Sequence, residues 1–161
     1  MNVNFKKNYF YFVFIVLIFI ADRGSKILIL NIFETSEFTS IKINSLLNFS
    51  LVWNDGIAFG LFSLEKNFYY NILTSIILLI TMFIIFLAYK ASNLLEKLTY
   101  LMIVGGACGN IFDRLYYSSV VDFIDITINN FHWFIFNVAD IFITLGIVIL
   151  LTREFLNKKY E

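Results

Sequence analysis

The longest uncharged stretch of the sequence limits what this chain can fold into. Residues 72–89 hold no charged side chain and lie between Lys66 and Lys90. About 20 consecutive apolar residues make a helix that is long enough to cross the hydrocarbon core of a bilayer. The whole sequence predicts a single integral membrane domain, residues 1–161, with helices over about residues 9–30, 70–90, 95–115 and 133–152.

Composition agrees with a membrane protein. Hydrophobic residues make up 60% of the chain and charged residues 15%, whereas soluble domains carry about 25% charged residues. The formal net charge is zero, so nothing indicates a nucleic-acid partner. The lone cysteine, Cys108, excludes an internal disulfide and a multi-cysteine metal site. The lone histidine, His132, has aromatic neighbours, which are typical of an interfacial belt rather than of a zinc site.

The distribution of basic residues predicts the orientation. Two lysines, Lys42 and Lys66, fall in the large connection after the first helix. The N-terminus, the connection between the second and third helices, and the C-terminus together carry Lys6, Lys7, Lys90, Lys97, Arg153, Lys158 and Lys159. The positive-inside rule therefore places both termini in the cytoplasm. The extracytoplasmic segments are then about residues 31–67 and 116–132.

The first outer segment has the pattern of a small sheet. Residues 48–53 alternate partially between polar and apolar, as a half-buried strand does. The residues that follow, Asn54, Asp55 and Gly56, predict a tight turn because Asn and Gly tolerate positive φ. We expect a small sheet on the membrane surface, with aromatic side chains dipping into lipid.

Polar residues inside the predicted helices form small groups at helical spacing. Asp22 and Lys26 are one turn apart, which indicates an ion pair that lowers the cost of burying charge in a membrane. Alternatively, the same two residues tie the first helix to a functional site. With both termini inside, these groups and the following ones all fall near the outer face of the membrane.

The third helix ends in a polar face. Asn110, Asp113 and Arg114 share one side of its last turns. Gly105 and Gly109 form a small-xxx-small pair, which lets another helix approach closely. In the fourth helix, Asn137 and Asp140 also share a face, although an acid near a helix N-terminus is also stabilised by the helix dipole.

Asp122 and Asp140 leave three functions open. Two neighbouring carboxylates cannot both ionise cheaply, so one can activate water while the other donates a proton, as in aspartic proteases. A small proton-coupled transporter is the second hypothesis, with acids such as Asp22, Asp113 and Asp140 spread through the bilayer. A non-catalytic lipid-binding or assembly subunit is the third, with Arg114 and Asp140 as structural residues.

Five short motifs resemble those of the bacterial lipoprotein signal peptidases, also called signal peptidase II. They occur in the family's order over nearly the whole chain: D-R-G-S-K at residues 22–26, N-D-G-I-A-F-G at 54–60, G-G-A-C-G-N-I-F-D-R at 105–114, V-V-D-F-I at 120–124 and F-N-V-A-D at 136–140. The sequence does not depart from the family's pattern at any motif position.

The resemblance implies a fold and an activity. The fold is a membrane α-helical bundle of four transmembrane helices with a small extracytoplasmic β-cradle and a short extracytoplasmic helix. The activity is cleavage of diacylglyceryl-modified prolipoproteins just before the lipidated cysteine, near the outer face of the bacterial cytoplasmic membrane. Its catalytic pair would be Asp122 and Asp140.

The resemblance also implies the supporting residues and the partners. Residues that shape or support the site would be Asp22, Lys26, Asn54, Gly56, Gly106, Asn110, Asp113, Arg114, Asn137 and Ala139. No metal or organic cofactor is implied, and no oligomer. Besides prolipoprotein substrates, the implied partners are membrane lipids and the cyclic peptide inhibitor globomycin. Asp125 has no role in this assignment.

Overall fold

The computed structural model describes residues 3–36, 38–56, 66–128 and 131–158. Within these residues the chain forms four helices and one antiparallel sheet. The helices are α1 (Val3–Thr35), α2 (Lys66–Lys90), α3 (Leu94–Tyr117) and α4 (Val138–Lys158). The strands are β1 (Ser40–Lys42), β2 (Leu47–Asn54), β3 (Val120–Ile128) and β4 (Phe131–Phe136).

The helix α3 lies at the centre and packs against α1, α2 and α4. Its glycines explain how two of these helices come so close. A Cβ at Gly105 would lie 2.9 Å from a side chain of α1, and one at Gly106 would lie 2.6 Å from the backbone oxygen of Ala139 on α4. A Cβ at Gly109 would overlap the carboxylate of Asp22 on α1. The close helix approach predicted from these glycines is therefore confirmed.

The helix α2 is the most apolar element. It contains Phe68–Lys90, the one stretch of the described helices that is long and apolar enough, by length and composition alone, to cross a membrane; an 18-residue window within this stretch has a mean hydropathy of 2.7. Its outward surface is formed by large exposed side chains, including Ile76, Leu79, Met82, Phe83 and Phe86. Extended apolar surface of this kind marks contact with lipid or with another protein.

Caps define both ends of α3. Asn93 precedes the helix, and its side-chain oxygen accepts hydrogen bonds from the backbone N–H groups of Leu95 and Glu96 at 2.9 and 3.3 Å. Ser118 follows the helix in the left-handed region, with φ of 57°. This conformation ends the helix and turns the chain directly into β3.

The sheet has the strand order β1-β2-β3-β4, and each neighbouring pair is antiparallel. The strand predicted over residues 48–53 is therefore confirmed as part of β2. The predicted turn at Asn54–Gly56 is also confirmed, because Gly56 has φ of +71° and its N–H donates to the side-chain oxygen of Asn54 at 2.7 Å. The pairing of β3 is irregular on both sides, with register shifts against β2 and against β4.

The prediction that the fourth helix begins near residue 133 is wrong. Phe131–Phe136 forms β4 on the edge of the sheet, and α4 begins at Val138. Hydrophobicity alone does not separate a short apolar strand from a helix, and the aromatic side chains here favour a strand. A reciprocal cap then starts the helix: the side-chain oxygen of Asn137 accepts from the Asp140 N–H, and the Asp140 carboxylate accepts from the Asn137 N–H.

The two segments predicted to be extracytoplasmic contain most of the sheet. The segment 31–67 contains β1 and β2, and the segment 116–132 contains the last residues of α3, all of β3 and the first residues of β4. The short extracytoplasmic helix implied by the resemblance is not among the elements of the described ranges. Residues 57–60 of the second motif lie outside those ranges.

Candidate active site

Asn137 joins the two predicted catalytic aspartates. Its side-chain nitrogen, Nδ2, donates to Asp122 Oδ1 on β3 at 2.5 Å. Its side-chain oxygen accepts from the Asp140 backbone N–H at 3.0 Å, and its own backbone N–H donates to Asp140 Oδ2 at 3.1 Å. Because Asn137 is fully buried between β4 and α4, it holds the strand carboxylate and the helix carboxylate in one fixed arrangement.

Each of the two aspartates accepts a second N–H group. Asn54 Nδ2, at the end of β2, donates to Asp122 Oδ2 at 2.8 Å, and Asn110 Nδ2 on α3 donates to Asp140 Oδ1 at 2.7 Å. The oxygens of both carboxamides are occupied as well, by the Gly56 N–H and by the Lys26 ammonium respectively. These second bonds fix which end of each amide faces the aspartate.

Lys26 forms ion pairs with two further aspartates, Asp22 and Asp113, next to the candidate catalytic pair. Lys26 Nζ lies 2.9 Å from Asp22 Oδ2 and 2.7 Å from Asp113 Oδ2, and all three side chains have no exposed surface. The predicted ion pair between Asp22 and Lys26 is therefore confirmed. Arg23 also pairs with Asp113. No local pattern predicts this contact, because the two residues are far apart in the chain.

The same two aspartates anchor the elements that carry Asp122 and Asp140. Asp22 Oδ1 accepts a hydrogen bond from the Ala139 N–H in the first turn of α4, at 3.0 Å. Asp113 Oδ2 accepts one from the Val121 N–H at 3.2 Å, and Val121 directly precedes Asp122. Both alternatives left open for Asp22 and Lys26 thus hold together, since their ion pair also ties α1 to the site.

Arg114 and Gly56 complete the predicted set. Arg114 Nη1 donates to the Asn110 backbone oxygen at 3.3 Å, and its guanidinium lies 3.8 Å from where a Cβ at Gly56 would be. That Cβ would also lie 2.6 Å from the Leu73 side chain, and the φ of +71° at this position favours glycine. Contacts thus link every residue predicted for the site, directly or through one another, to the two aspartates.

Ionisable side chains of both signs meet in this cluster. The negative groups are Asp22, Asp113, Asp122 and Asp140, and the positive groups are Arg23, Lys26 and Arg114. Buried carboxylates that lie close together repel one another, and a proton shared between them lowers the cost of burying them.

Asp122 is the carboxyl group whose environment favours that proton. Burial, together with the nearby charge of Asp140, raises the pKa of Asp122 to about 6, although hydrogen bonds from Asn54 and Asn137 and the charge of Lys26 act in the opposite direction. Near pH 6 and below, a substantial fraction of this aspartate is therefore protonated.

An apolar cavity of about 390 Å³ opens beside Asp140. Among the residues that the structure describes, Asp140 is the one charged lining residue, and the other lining residues are Ile126, Phe134, Phe136, Ile141, Thr144 and Leu145. A ligand in this cavity would contact mostly apolar surface and would meet one carboxylate. Within the described ranges, no group of three or more His, Cys, Asp or Glu side chains is placed to share a metal ion.

Comparisons with known proteins agree with this arrangement. A family model described as signal peptidase (SPase) II matches residues 14–156. The lipoprotein signal peptidase of Pelagibacter ubique (strain HTCC1062) is 46% identical over 160 residues, which cover 98% of this chain and 96% of that protein. The lipoprotein signal peptidase of Wigglesworthia glossinidia brevipalpis is 42% identical over 140 residues, covering 87% and 90% respectively.

A solved structure has a similar fold. It is described as a bacterial membrane enzyme, and it aligns with a TM-score of 0.73 at 27% identity over 89% of this chain and 90% of its own. The four helices and the small antiparallel sheet are therefore an arrangement already observed in a membrane enzyme.

Proposed function

The chain belongs to the signal peptidase II family, and we propose that it cleaves the signal peptide of diacylglyceryl-modified prolipoproteins immediately before the lipidated cysteine. The family consists of aspartic proteases that process lipoproteins, and its lipoprotein signal peptidases match nearly the whole chain. We assign Asp122 and Asp140 as the catalytic pair. The other residues predicted for the site support this pair.

The bridge made by Asn137 is the observation that carries this assignment. One side chain bonds to Asp122 and to the backbone of Asp140, so the two carboxyl groups are held as a unit. Burial and the nearby charge of Asp140 both raise the pKa of Asp122, so the pair favours a form that holds a proton. A pair with one proton is the form that aspartic-protease chemistry requires.

In the proposed mechanism, the ionised aspartate takes a proton from a water molecule. The water oxygen attacks the carbonyl carbon of the residue before the lipidated cysteine, while the protonated aspartate donates its proton to the carbonyl oxygen. When the resulting diol breaks down, the C–N bond breaks, the protonated aspartate gives its proton to the leaving amine of the cysteine, and the other aspartate takes a proton from a diol hydroxyl. The pair then holds one proton again, and its apparent pKa values belong to the pair rather than to either residue.

The remaining residues prepare the pair for this chemistry. Asn54 and Asn110 orient the carboxylates, and Asp22 and Asp113 fix the start of α4 and the strand β3 by accepting backbone N–H groups. Lys26 forms an ion pair with each of these supporting acids. Preorganised donors of this kind save the enzyme from reorganising them during the reaction.

The apolar cavity beside Asp140 suits the proposed substrate. A signal peptide is apolar around its cleavage site, and the diacylglyceryl chains remain in lipid. Binding in a cavity with one carboxylate at its edge would bring a peptide bond to the catalytic pair while excluding bulk water. We propose that globomycin competes for the same place.

We further propose that α1 to α4 span the bacterial cytoplasmic membrane, with both termini inside and the catalytic pair near the outer face. The apolar outward surface of α2 and the basic residues near the termini support this orientation. Reporters whose activity depends on compartment, fused after Lys159, test it. Cytoplasmic activity is expected, and activity outside the membrane would contradict the orientation.

A purified-enzyme assay tests the proposed activity. Two substrates are compared in detergent: a prolipoprotein with a diacylglyceryl cysteine, and the same protein without the lipid. Only the lipidated substrate should be cut, just before the cysteine, and globomycin should stop the reaction. The proposal is wrong if neither substrate is cut, or if both are cut at the same rate.

A further inference from the structure

Asp125 has no role in the proposed site, yet its carboxylate is completely buried in the sheet. It accepts hydrogen bonds from three strands. Ser50 Oγ on β2 donates to its Oδ2 at 2.9 Å, and Thr127 Oγ1 on β3 lies 3.1 Å from its Oδ1. His132 Nδ1 on β4 lies 2.7 Å from Oδ2. Asp125 therefore connects both neighbouring strands to β3.

The partners of Asp125 lie at the two irregularities of the sheet. On β2, the register shifts between Phe49 and Val52, and Ser50 lies in that bulge. On β4, Phe134 pairs with Ile126 and His132 pairs with the next residue of β3, so the extra residue directly follows His132. Bulges bend a strand and redirect the side chains beyond them, and they often occur next to active sites. One buried carboxylate thus fixes both bends.

Each bend leads to an amide that bonds to Asp122. Asn54 ends β2 four positions after Ser50, and Asn137 follows β4 by one residue. Both donate to Asp122, at 2.8 and 2.5 Å. The path of each strand after its bulge therefore decides where its amide meets the catalytic carboxylate.

The side chain of Asp125 lies on the opposite face of β3 from the side chain of Asp122, so it does not reach the reacting groups directly. It lies three residues after Asp122 on β3, and side chains an odd number apart point to opposite faces of a strand. Burial raises the pKa of Asp125, but hydrogen bonds from Ser50, His132 and Thr127 together lower it below its usual value. Asp125 is thus ionised at neutral pH, which strengthens the bonds that it accepts.

We infer that Asp125 is a positioning residue for the proposed reaction, because it holds the two bulges that place Asn54 and Asn137 on Asp122. The inference rests on the proposed function, since it gives Asp125 a role only through the catalytic pair. A positioning role differs from a role in sheet stability alone, because a positioning residue would affect the protonation of Asp122.

The pH profile of wild-type kcat/KM supplies the reference for a test. A single-proton pair loses activity as pH rises through the pKa of the group that holds the proton. With the pKa of Asp122 at about 6, we expect the alkaline limb of the profile to have its midpoint near that value. Hydrogen bonds from Asn54 and Asn137 lower the pKa of Asp122, so loosening them raises it and moves the midpoint to higher pH.

Asp125→Asn is the informative variant because it preserves shape and removes the charge. We expect kcat per folded enzyme to fall about tenfold through misplacement of the pair, with KM changed by about twofold or less. The alkaline midpoint should rise by about half a pH unit. Glu34→Gln makes the same change of charge at an exposed side chain, and its kcat and midpoint should match those of the wild type.

Two outcomes would overturn the inference. If kcat falls but the midpoint stays, Asp125 only stabilises the sheet; if neither changes, it has no role in the reaction.

Should Asp125→Asn not fold, Ser50→Ala and His132→Ala replace it. Each releases one bulge and should move the midpoint in the same direction by a smaller amount, and unmoved midpoints in both would reject the inference. Asp122→Asn, measured in parallel, separates this failure from failure of the proposed function, because its full activity would reject the catalytic pair itself.

Discussion

Asp122→Asn and Asp140→Asn are each expected to lower the turnover of lipidated prolipoprotein by about 10³-fold, within the usual range for loss of a general acid or base. Asparagine has nearly the same shape as aspartate, but its amide can neither take a proton from water nor donate one to the carbonyl oxygen. The measurement is the rate of signal-peptide release per folded enzyme, at several pH values.

Both variants also have a structural cost that must be measured. Each aspartate accepts two N–H groups, and the new amide would turn its own N–H group toward one of them. An unsatisfied buried donor costs about 1–3 kcal/mol, so thermal unfolding of the purified proteins is compared as well. Glu34→Gln controls for the loss of a carboxylate and should keep wild-type turnover. A folded Asp122→Asn or Asp140→Asn enzyme with near-normal turnover would exclude that residue from the pair.

Asn137→Asp should lower turnover per folded enzyme by about 10²-fold. Aspartate is as good a helix cap as asparagine, so its oxygen still accepts from the Asp140 N–H. The donor to Asp122 is lost, however, and a further buried carboxylate lies against that of Asp122. Loss of one preorganised donor typically costs about 10²–10³ in rate.

A matched control separates capping from catalysis. Asn93 caps α3 as Asn137 caps α4, but its side chain accepts from the backbone N–H groups of Leu95 and Glu96 and bonds to neither aspartate of the candidate site. Asn93→Asp makes the same chemical change away from the candidate site, and both turnover and thermal stability should remain near wild type. If Asn137→Asp behaves like Asn93→Asp in the activity assay, Asn137 is a helix cap and not part of the catalytic arrangement.

Local patterns predicted those parts of the structure that depend on neighbouring residues. The ion pair of Asp22 and Lys26 follows from helical spacing, and the turn at Gly56 follows from its tolerance of positive φ. The close approach at Gly106 follows from the absence of a side chain. Each of these features follows from the residue types at a few neighbouring positions, so a local sequence pattern was enough to predict it.

The start of α4 shows where hydrophobicity misleads. The aromatic run of β4 is as apolar as the helix after it, so counting apolar residues merged the two elements. The reciprocal cap formed by Asn137 and Asp140 was present in the sequence as two polar residues at the right spacing. Reading that spacing as a helix start, rather than only as a polar face, would have placed the boundary correctly.

Contacts between distant segments could not be predicted from local patterns. Arg23 pairs with Asp113 on another helix, and nothing near Arg23 in the sequence indicates this partner. The bonds of Asp125 to Ser50 and His132 depend on strand register and on two bulges, which long-range pairing decides. The transporter hypothesis expected acids at several depths, whereas Asp22, Asp113 and Asp140 belong to one connected cluster.

We propose that Asp122 and Asp140 act as one catalytic unit. The decisive measurement is the turnover of one lipidated prolipoprotein by Asp122→Asn, by Asp140→Asn and by the double variant. Residues that act as a unit have strongly non-additive effects, so the double variant should be about as slow as the slower single variant. If the two losses multiply in the double variant, or if either single variant remains as fast as the wild type, the two aspartates do not form a catalytic pair.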